Sequence, residues 1–206
     1  ARVVNASISG DTTSGGRARL PALLRTHRPA VVVIELGGND GLRGLPLDMT
    51  EANLAAMAQA AGQAGAKVLL ALNTFPPAGK FALWQDAVEA GASLGADALI
   101  VADIGVAAYA ASRHPGMRLH LSVQAAASSP EAVRYYCREF NIKRVVLPRI
   151  LTVAEIREVA RDIPCEIETF VFGNHGLMVE GHCSLTNFVT GLSTNMDGVC
   201  SPAAQV

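Results

Sequence analysis

No stretch of this chain is long, apolar and uncharged enough to cross a membrane. The stretch weakest in charge, residues 91–111, still holds Asp97 and Asp103, and it reads as a strand with its flanks. There is no excess of basic charge: 17 Lys and Arg stand against 18 Asp and Glu, a formal net charge of −1. That excludes a broad basic face, so nucleic acid is not expected as a partner. Cysteine is sparse. Four of them (Cys137, Cys165, Cys183 and Cys200) in 206 residues do not make a disulfide scaffold. With no export signal in view, reduced thiols and a cytoplasmic location are expected. An initiator Met is lacking too. The chain opens at ARVVNAS, almost directly in a strand, and something upstream is expected to have been lost or cut away. Tryptophan occurs once. Trp84 stands on an expected helix with Val88 four residues on, which suits packing better than a ligand platform.

What is present is apolar material. Half of the residues are hydrophobic and 17% are charged, enough for a well-buried core in one ordinary domain or a short pair. Short apolar runs at 3–7, 30–36, 67–72, 98–103, 118–123, 144–147 and 167–172 read as strands. Most are rich in Val, Ile and Leu without clean polar alternation, the pattern of strands buried on both faces. Helical patterns fill the gaps at 17–27, 50–64, 81–94, 105–113, 130–140 and 153–162. Asp48 with Glu51, Ser128 with Glu131, and Thr152 with Glu155 carry capping spacings, and Ser129 followed by Pro130 also suits a helix start. The expected fold is therefore α/β, with about seven parallel strands alternating with helices. It is barrel-like and short of a full eightfold barrel, or else an open sheet. Periodicity does not choose between them. After Gly173 the rhythm gives way to a loop-rich tail.

In a parallel α/β sheet, ligands gather at the carboxyl ends of the strands. The polar residues there are Ser7, Ser9, Glu35, Asn39, Asn73, Thr74, Asp103, Ser122, Gln124, Arg149, Asn174 and His175. Asn73, Asp103, Gln124 and Arg149 are the substrate-binding candidates. Asp103 is also a natural helix N-cap. Arg149 has the planar fork for an anionic group, with a surface ion pair as the equal alternative. Gly91-Ala-Ser93-Leu-Gly95 matches a nucleophile elbow in letters alone. The elbow needs a strand before the serine and a helix after it, and here the order is reversed. A glycine-terminated helix is the better reading.

Residues 1–70, through ASISGDT and ELGGNDGLRG at their mutual spacing, resemble the SGNH (GDSL-type) hydrolases near their thioesterase and arylesterase branch. That resemblance implies an oxyanion hole from the Gly10 amide and the Asn39 side chain, a sound use of fixed donors. The family's nucleophile block lies upstream of this stretch, and its D-x-x-H-P block does not occur. His114 precedes Pro115, but Ala111 stands where the acid belongs. Little ester turnover is expected without nucleophile and base.

Residues 71–206 resemble a second family. LHLSVQ, VVLPR and the EGHC…GVCSPA tail together are similar to the collagenase-like peptidase family, nearest its UbiU-type branch. The resemblance implies a (βα) barrel, a [4Fe–4S] cluster on four cysteines, a related partner subunit, and a part in oxygen-independent ubiquinone biosynthesis. Cys183 and Cys200 match two of the four ligands. Gly176 stands where the first belongs, and the fourth falls beyond Val206. A cluster needs thiolate-type ligation at essentially every iron, so none is expected in the chain as it stands. Cys137 and Cys165 read as small buried hydrophobes. His175 and His182 near Cys183 raise a zinc site, but their spacing fits no trusted pattern. The two resemblances meet inside one strand, near Leu70 and Ala71, and one merged domain is expected. The chain thus reads as a UbiU-type homologue, impaired or inactive. The alternatives are an SGNH esterase fragment without its nucleophile, or a catalytically silent chimera that was engineered, generated or recombined.

Overall fold

The computed structural model describes residues 3–34, 36–37, 39–40, 43–171, 178, 180, 184, 187–188, 191, 193 and 196. Glu35, Phe172, Asn174, His175, Gly176, His182, Cys183 and Cys200, all singled out from the sequence, lie outside the described residues. The chain divides into two compact units, Ala1–Leu69 with Leu94–Asp97, and Leu70–Ser93 with Ala98–Val206. The division falls where the sequence resemblance changes.

In the first unit, helix α1 (Thr13–His27) and helix α2 (Leu47–Gln63) form the framework. Leu20, Leu24 and Met57 are its buried centre, with Val32, Ile34, Leu36, Leu54 and Ala60 packed against them. Thr12 caps α1 through the Gly15 amide. Asp48 does not cap α2. The helix begins at Leu47, after Pro46, and the Asp48 carboxylate accepts from the Met49 amide inside the first turn. A negative charge there still suits the helix dipole.

The two strands expected in this unit do not form. Residues 3–7 make none, and within 30–36 there is a single parallel bridge from Val31 to Lys67. A strand buried on both faces needs ladder partners and covering layers. Val3 and Val33 have neither and are almost fully exposed.

The second unit carries a five-stranded sheet in the order β1 (Leu69–Leu72), β2 (Ala98–Val101), β3 (Leu119–Leu121), β4 (Ile142–Val146), β5 (Glu166–Glu168). The pairs from β2 to β5 are parallel. Among the described residues five strands form where seven are expected, and β1 and β5 stand at the two ends of the order. Helices α3 (Phe81–Ser93), α4 (Ile104–Arg113), α5 (Pro130–Phe140) and α6 (Val153–Arg161) alternate with the strands. The order advances in one direction. A doubly wound sheet would reverse it at a switch point.

Register sorts the two faces of the sheet. Leu99 pairs with Leu119, Val101 with Leu121, Leu121 with Val145 and Val145 with Ile167. The first five of these are fully buried and make the core with Val88, Val106 and Val133 from the helices. Gly91 lets α3 approach this face. A Cβ there would come within 2.8 Å of Leu99 Cδ2 and 2.9 Å of Leu70 Cδ2. Gly95 adopts the left-handed region, φ 69°, just beyond α3. The two glycines of the apparent elbow are thus a packing glycine and a helix terminator, and Ser93 ends a helix.

Caps place the later helices. Asp103 accepts from the Val106 amide at 2.9 Å and starts α4. Ser129, not Ser128, caps α5 through Ala132, because Pro130 takes the first helical position and fixes the cap one residue before it. Thr152 and Glu155 form a reciprocal capping box on α6.

Candidate functional site

The first unit brings its two expected donors onto one short segment. Asn39 Nδ2 donates to the Asp11 carbonyl at 2.9 Å, one residue beyond Gly10. Gly10 itself sits at φ 75°, and its carbonyl accepts from Arg43 at 2.9 Å. Arg19 braces the same turn through the Asp11 carboxylate and the Ala6 carbonyl. One Asn39 N–H is therefore spent on holding the segment, and the other has no partner among the described residues.

Beneath this turn lies a polar cluster that the sequence did not reveal. Asp40 is 1% exposed. It accepts from the Thr13 amide at 2.9 Å, from the Thr13 hydroxyl, and from the Thr50 hydroxyl at 3.3 Å. Asn53 donates to the Thr13 oxygen at 3.1 Å and accepts from Arg17 at 3.0 Å. Burial pushes the Asp40 carboxyl up, but the hydrogen bonds from Thr13 and Thr50 outweigh it and hold the pKa below the usual range. The Thr13 hydroxyl is thus committed to a carboxylate, and the Thr12 side chain to its helix cap. Neither is placed as a nucleophile.

In the second unit, the four expected binding residues follow successive strands. Asn73 comes after β1, Asp103 after β2, Gln124 after β3 and Arg149 after β4. They differ in what they are free to do. Asp103 is occupied as the α4 cap. Arg149 is clamped: its guanidinium reaches Glu180 at 2.8 Å, its backbone amide donates to the same Oε1 at 3.2 Å, and its guanidinium carbon lies 3.7 Å from the centre of the Phe170 ring. The Glu180 side chain is 9% exposed. Burial pushes its carboxyl up, and hydrogen bonds from backbone amides and from Arg149 bring it below the usual range.

Gln124 is different. It lies in a 3₁₀ turn, Val123–Ala125, capped by Ser122. Its Oε1 is enclosed and has no hydrogen-bond partner among the described residues. Trp84 Nε1 donates to the Thr74 carbonyl at 3.0 Å and ties α3 to the loop after β1.

The sheet face opposite the apolar core holds a charged ladder that sequence reasoning also missed. His120 pairs in register with Arg144, and Arg144 with Glu166. Arg118 Nε donates to His120 Nε2 at 3.0 Å, and Glu166 binds both Arg118 and Arg144 at 2.7 Å. Arg144 also reaches Glu168 at 3.3 Å. Arg118 and His120, like Glu166 and Glu168, stand two apart on their strands. That alternation was the available signal.

Among the described residues, no three His, Cys, Asp or Glu side chains stand together as metal ligands. Cys137 and Cys165 supply two thiols, at the amino ends of β4 and β5 and away from the rim. The described residues alone do not fit a four-thiolate cluster.

Strands β1 to β4, each followed by a polar residue and a helix, define an α/β protein of the class that binds ligands along its carboxyl edge. Residues 34–205 match the model of peptidase family U32, and the chain belongs to that family. It is similar to the tRNA hydroxylation protein P1 of Bacillus subtilis, 30% identical over 177 residues, which are 86% of this chain and 42% of that protein. It is also similar to the esterase TesA of Pseudomonas aeruginosa, 66% identical over 76 residues, 37% of this chain and 38% of the esterase. The solved U32 peptidase Mk0906 shares the fold at a TM-score of 0.51, with 15% identity, over 61% of this chain and 52% of its own. The chain is therefore chimera-like, and it spans about two fifths of the length of either curated relative.

Proposed function

We propose that the chain is a U32-type homologue of the UbiU kind, whose carboxyl edge takes a ring-bearing substrate in oxygen-independent hydroxylation, and that it is impaired or inactive in this form. Gln124 carries the proposed site. An enclosed amide oxygen without a partner costs stability unless a ligand donor meets it. Arg149, held rigid by Glu180 and Phe170, would orient the substrate beside it rather than supply an uncompensated positive charge. Ubiquinone biosynthesis is the process implied by the UbiU-type resemblance. RNA is the second substrate class, favoured by the relative named for tRNA hydroxylation that aligns with 86% of this chain.

The test is production in anaerobic cells that lack their own U32 proteins, with ubiquinone and hydroxylated tRNA nucleosides both measured. Traces of one product, lowered by Gln124→Ala, are expected, and their identity names the substrate. Output equal to that of an intact relative contradicts the impairment. Traces indifferent to Gln124→Ala contradict the site.

The esterase reading rests on Asn39 standing against Asp11 beside Gly10. Hydrolysis of a p-nitrophenyl ester is expected at background level, unchanged by Asn39→Ala. Turnover that a serine-directed inhibitor abolishes would restore the esterase reading.

A further inference from the structure

Cys137 and Cys165 do not behave as separate buried hydrophobes. Their thiols lie close enough for each to influence the other's titration, and both side chains are only part-buried. Cys137 lies in the last turns of α5, and Cys165 immediately precedes β5. A cleft of about 390 Å³ is lined by Cys137 and by Pro164, the residue before Cys165, together with Arg134, Arg138 and Lys143. Arg134 is matched by Glu131 and Asp162, and Arg138 by Glu139. The Lys143 ammonium meets the Asn141 side-chain oxygen at 2.5 Å and no carboxylate among the described residues. Two neighbouring thiols, an opening to one of them, and a cation at its edge form a site that the proposed rim does not use.

We propose that this pair is a dithiol exchange site that accepts a small anionic disulfide at Cys137 and closes to a Cys137–Cys165 disulfide. In the first step the Cys137 sulfur, having lost its proton, attacks one sulfur of the incoming disulfide. The incoming S–S bond breaks, a mixed disulfide forms on Cys137, and one thiol leaves with a proton. In the second step Cys165 loses its proton and attacks the Cys137 sulfur, releasing the second thiol. Two cysteine thiols are oxidised to one disulfide, and one external disulfide is reduced to two thiols.

The order follows from the surroundings. Burial raises both thiols. The contact from Cys165 and the nearby Lys143 charge offset this at Cys137, whereas Cys165 is pushed up to about 12. The thiolate is the nucleophile, so Cys137 leads and Cys165 resolves. Exchange should be slow at neutral pH and should quicken as pH rises.

The probe is glutathione disulfide, added to the reduced full chain at a pH of about 8.5, near the ordinary thiol pKa. Cleavage after glutamates separates the Cys137 and Cys165 peptides from the one bearing Cys183 and Cys200. A Cys137–Cys165 linked peptide is expected, with a higher melting temperature for the oxidised chain. Cys165→Ser should trap a glutathione adduct on Cys137. Lys143→Glu should slow the reaction several-fold with glutathione disulfide but not with the neutral hydroxyethyl disulfide. Absence of the linked peptide, while the unfolded chain reacts fully, overturns the site. An adduct that forms on Cys165 in Cys137→Ser as fast as on Cys137 in Cys165→Ser overturns the order. Equal slowing of both disulfides by Lys143→Glu overturns the anion preference.

Discussion

The side chain whose state is best defined by its neighbours is His120. Arg118 Nε can only donate, so His120 Nε2 must accept, and the ring proton sits on Nδ1. The imidazole is therefore neutral in the fold. Burial, with Arg144 and Arg118 adding their charge and Glu166 opposing them, lowers its pKa to about 4. In the unfolded chain it titrates near 6.5. Between those values the unfolded state binds more protons, so the folded state loses stability as pH falls from about 6.5 towards about 4. Above about 6.5 this contribution is constant. His120→Asn should remove that part of the acid slope. The check is the urea midpoint measured across this range for both proteins. A slope unchanged by the substitution would show that His120 does not titrate as its surroundings dictate.

At the scale of elements, caps and close approaches decide where helices begin and how they pack. Thr152→Ala should cost about 1 kcal/mol, because the hydroxyl satisfies the Glu155 amide and the Glu155 carboxylate returns to the Thr152 amide. Ser128→Ala should be nearly neutral, since Ser129 holds the cap. Chemical denaturation of the two variants separates these outcomes, and equal losses would contradict the assignment. The sequence carried much of this level. Thr152 with Glu155 was legible because both halves of a capping box are local, as was Asp103 as the α4 cap. At the start of α5 the sequence offered two signals, Ser128 with Glu131 and Ser129 before Pro130, and the Pro130 backbone restriction decides for Ser129. The strands at 3–7 and 30–36 were misread because a Val-rich run states a preference and not a partner. The Arg118–His120–Arg144–Glu166 ladder stayed hidden because its members come from three strands, and only parallel register aligns them.

For the whole molecule, the division after Leu69 separates a unit built on two helices from a unit built on a parallel sheet. Each carries a fragment of recognisable chemistry. The first holds Asn39 and Gly10 on one braced segment without a placed nucleophile among the described residues. The second holds four rim residues, of which Asp103 and Arg149 are occupied by the protein itself and Gln124 has an acceptor without a partner among the described residues. The positions of all four along the strand ends were legible from the alternation of strands and helices. Their occupation was not, because Arg149 pairs with Glu180, which lies in a tail without a periodic pattern. The central claim is that the U32-type edge still binds a ring-bearing substrate although turnover is impaired.

Trp84, the chain's single tryptophan, is hydrogen-bonded to Thr74 in the loop after β1 and reports on that edge. Titration of its fluorescence, without oxygen, with a water-soluble short-chain quinol, whose phenolic O–H can donate to Gln124 Oε1, is the most direct test. A saturable change is predicted, with affinity weakened about tenfold by Gln124→Ala, the effect of one hydrogen bond to an enclosed oxygen. No saturable change, or an identical curve for Gln124→Ala, would contradict the account.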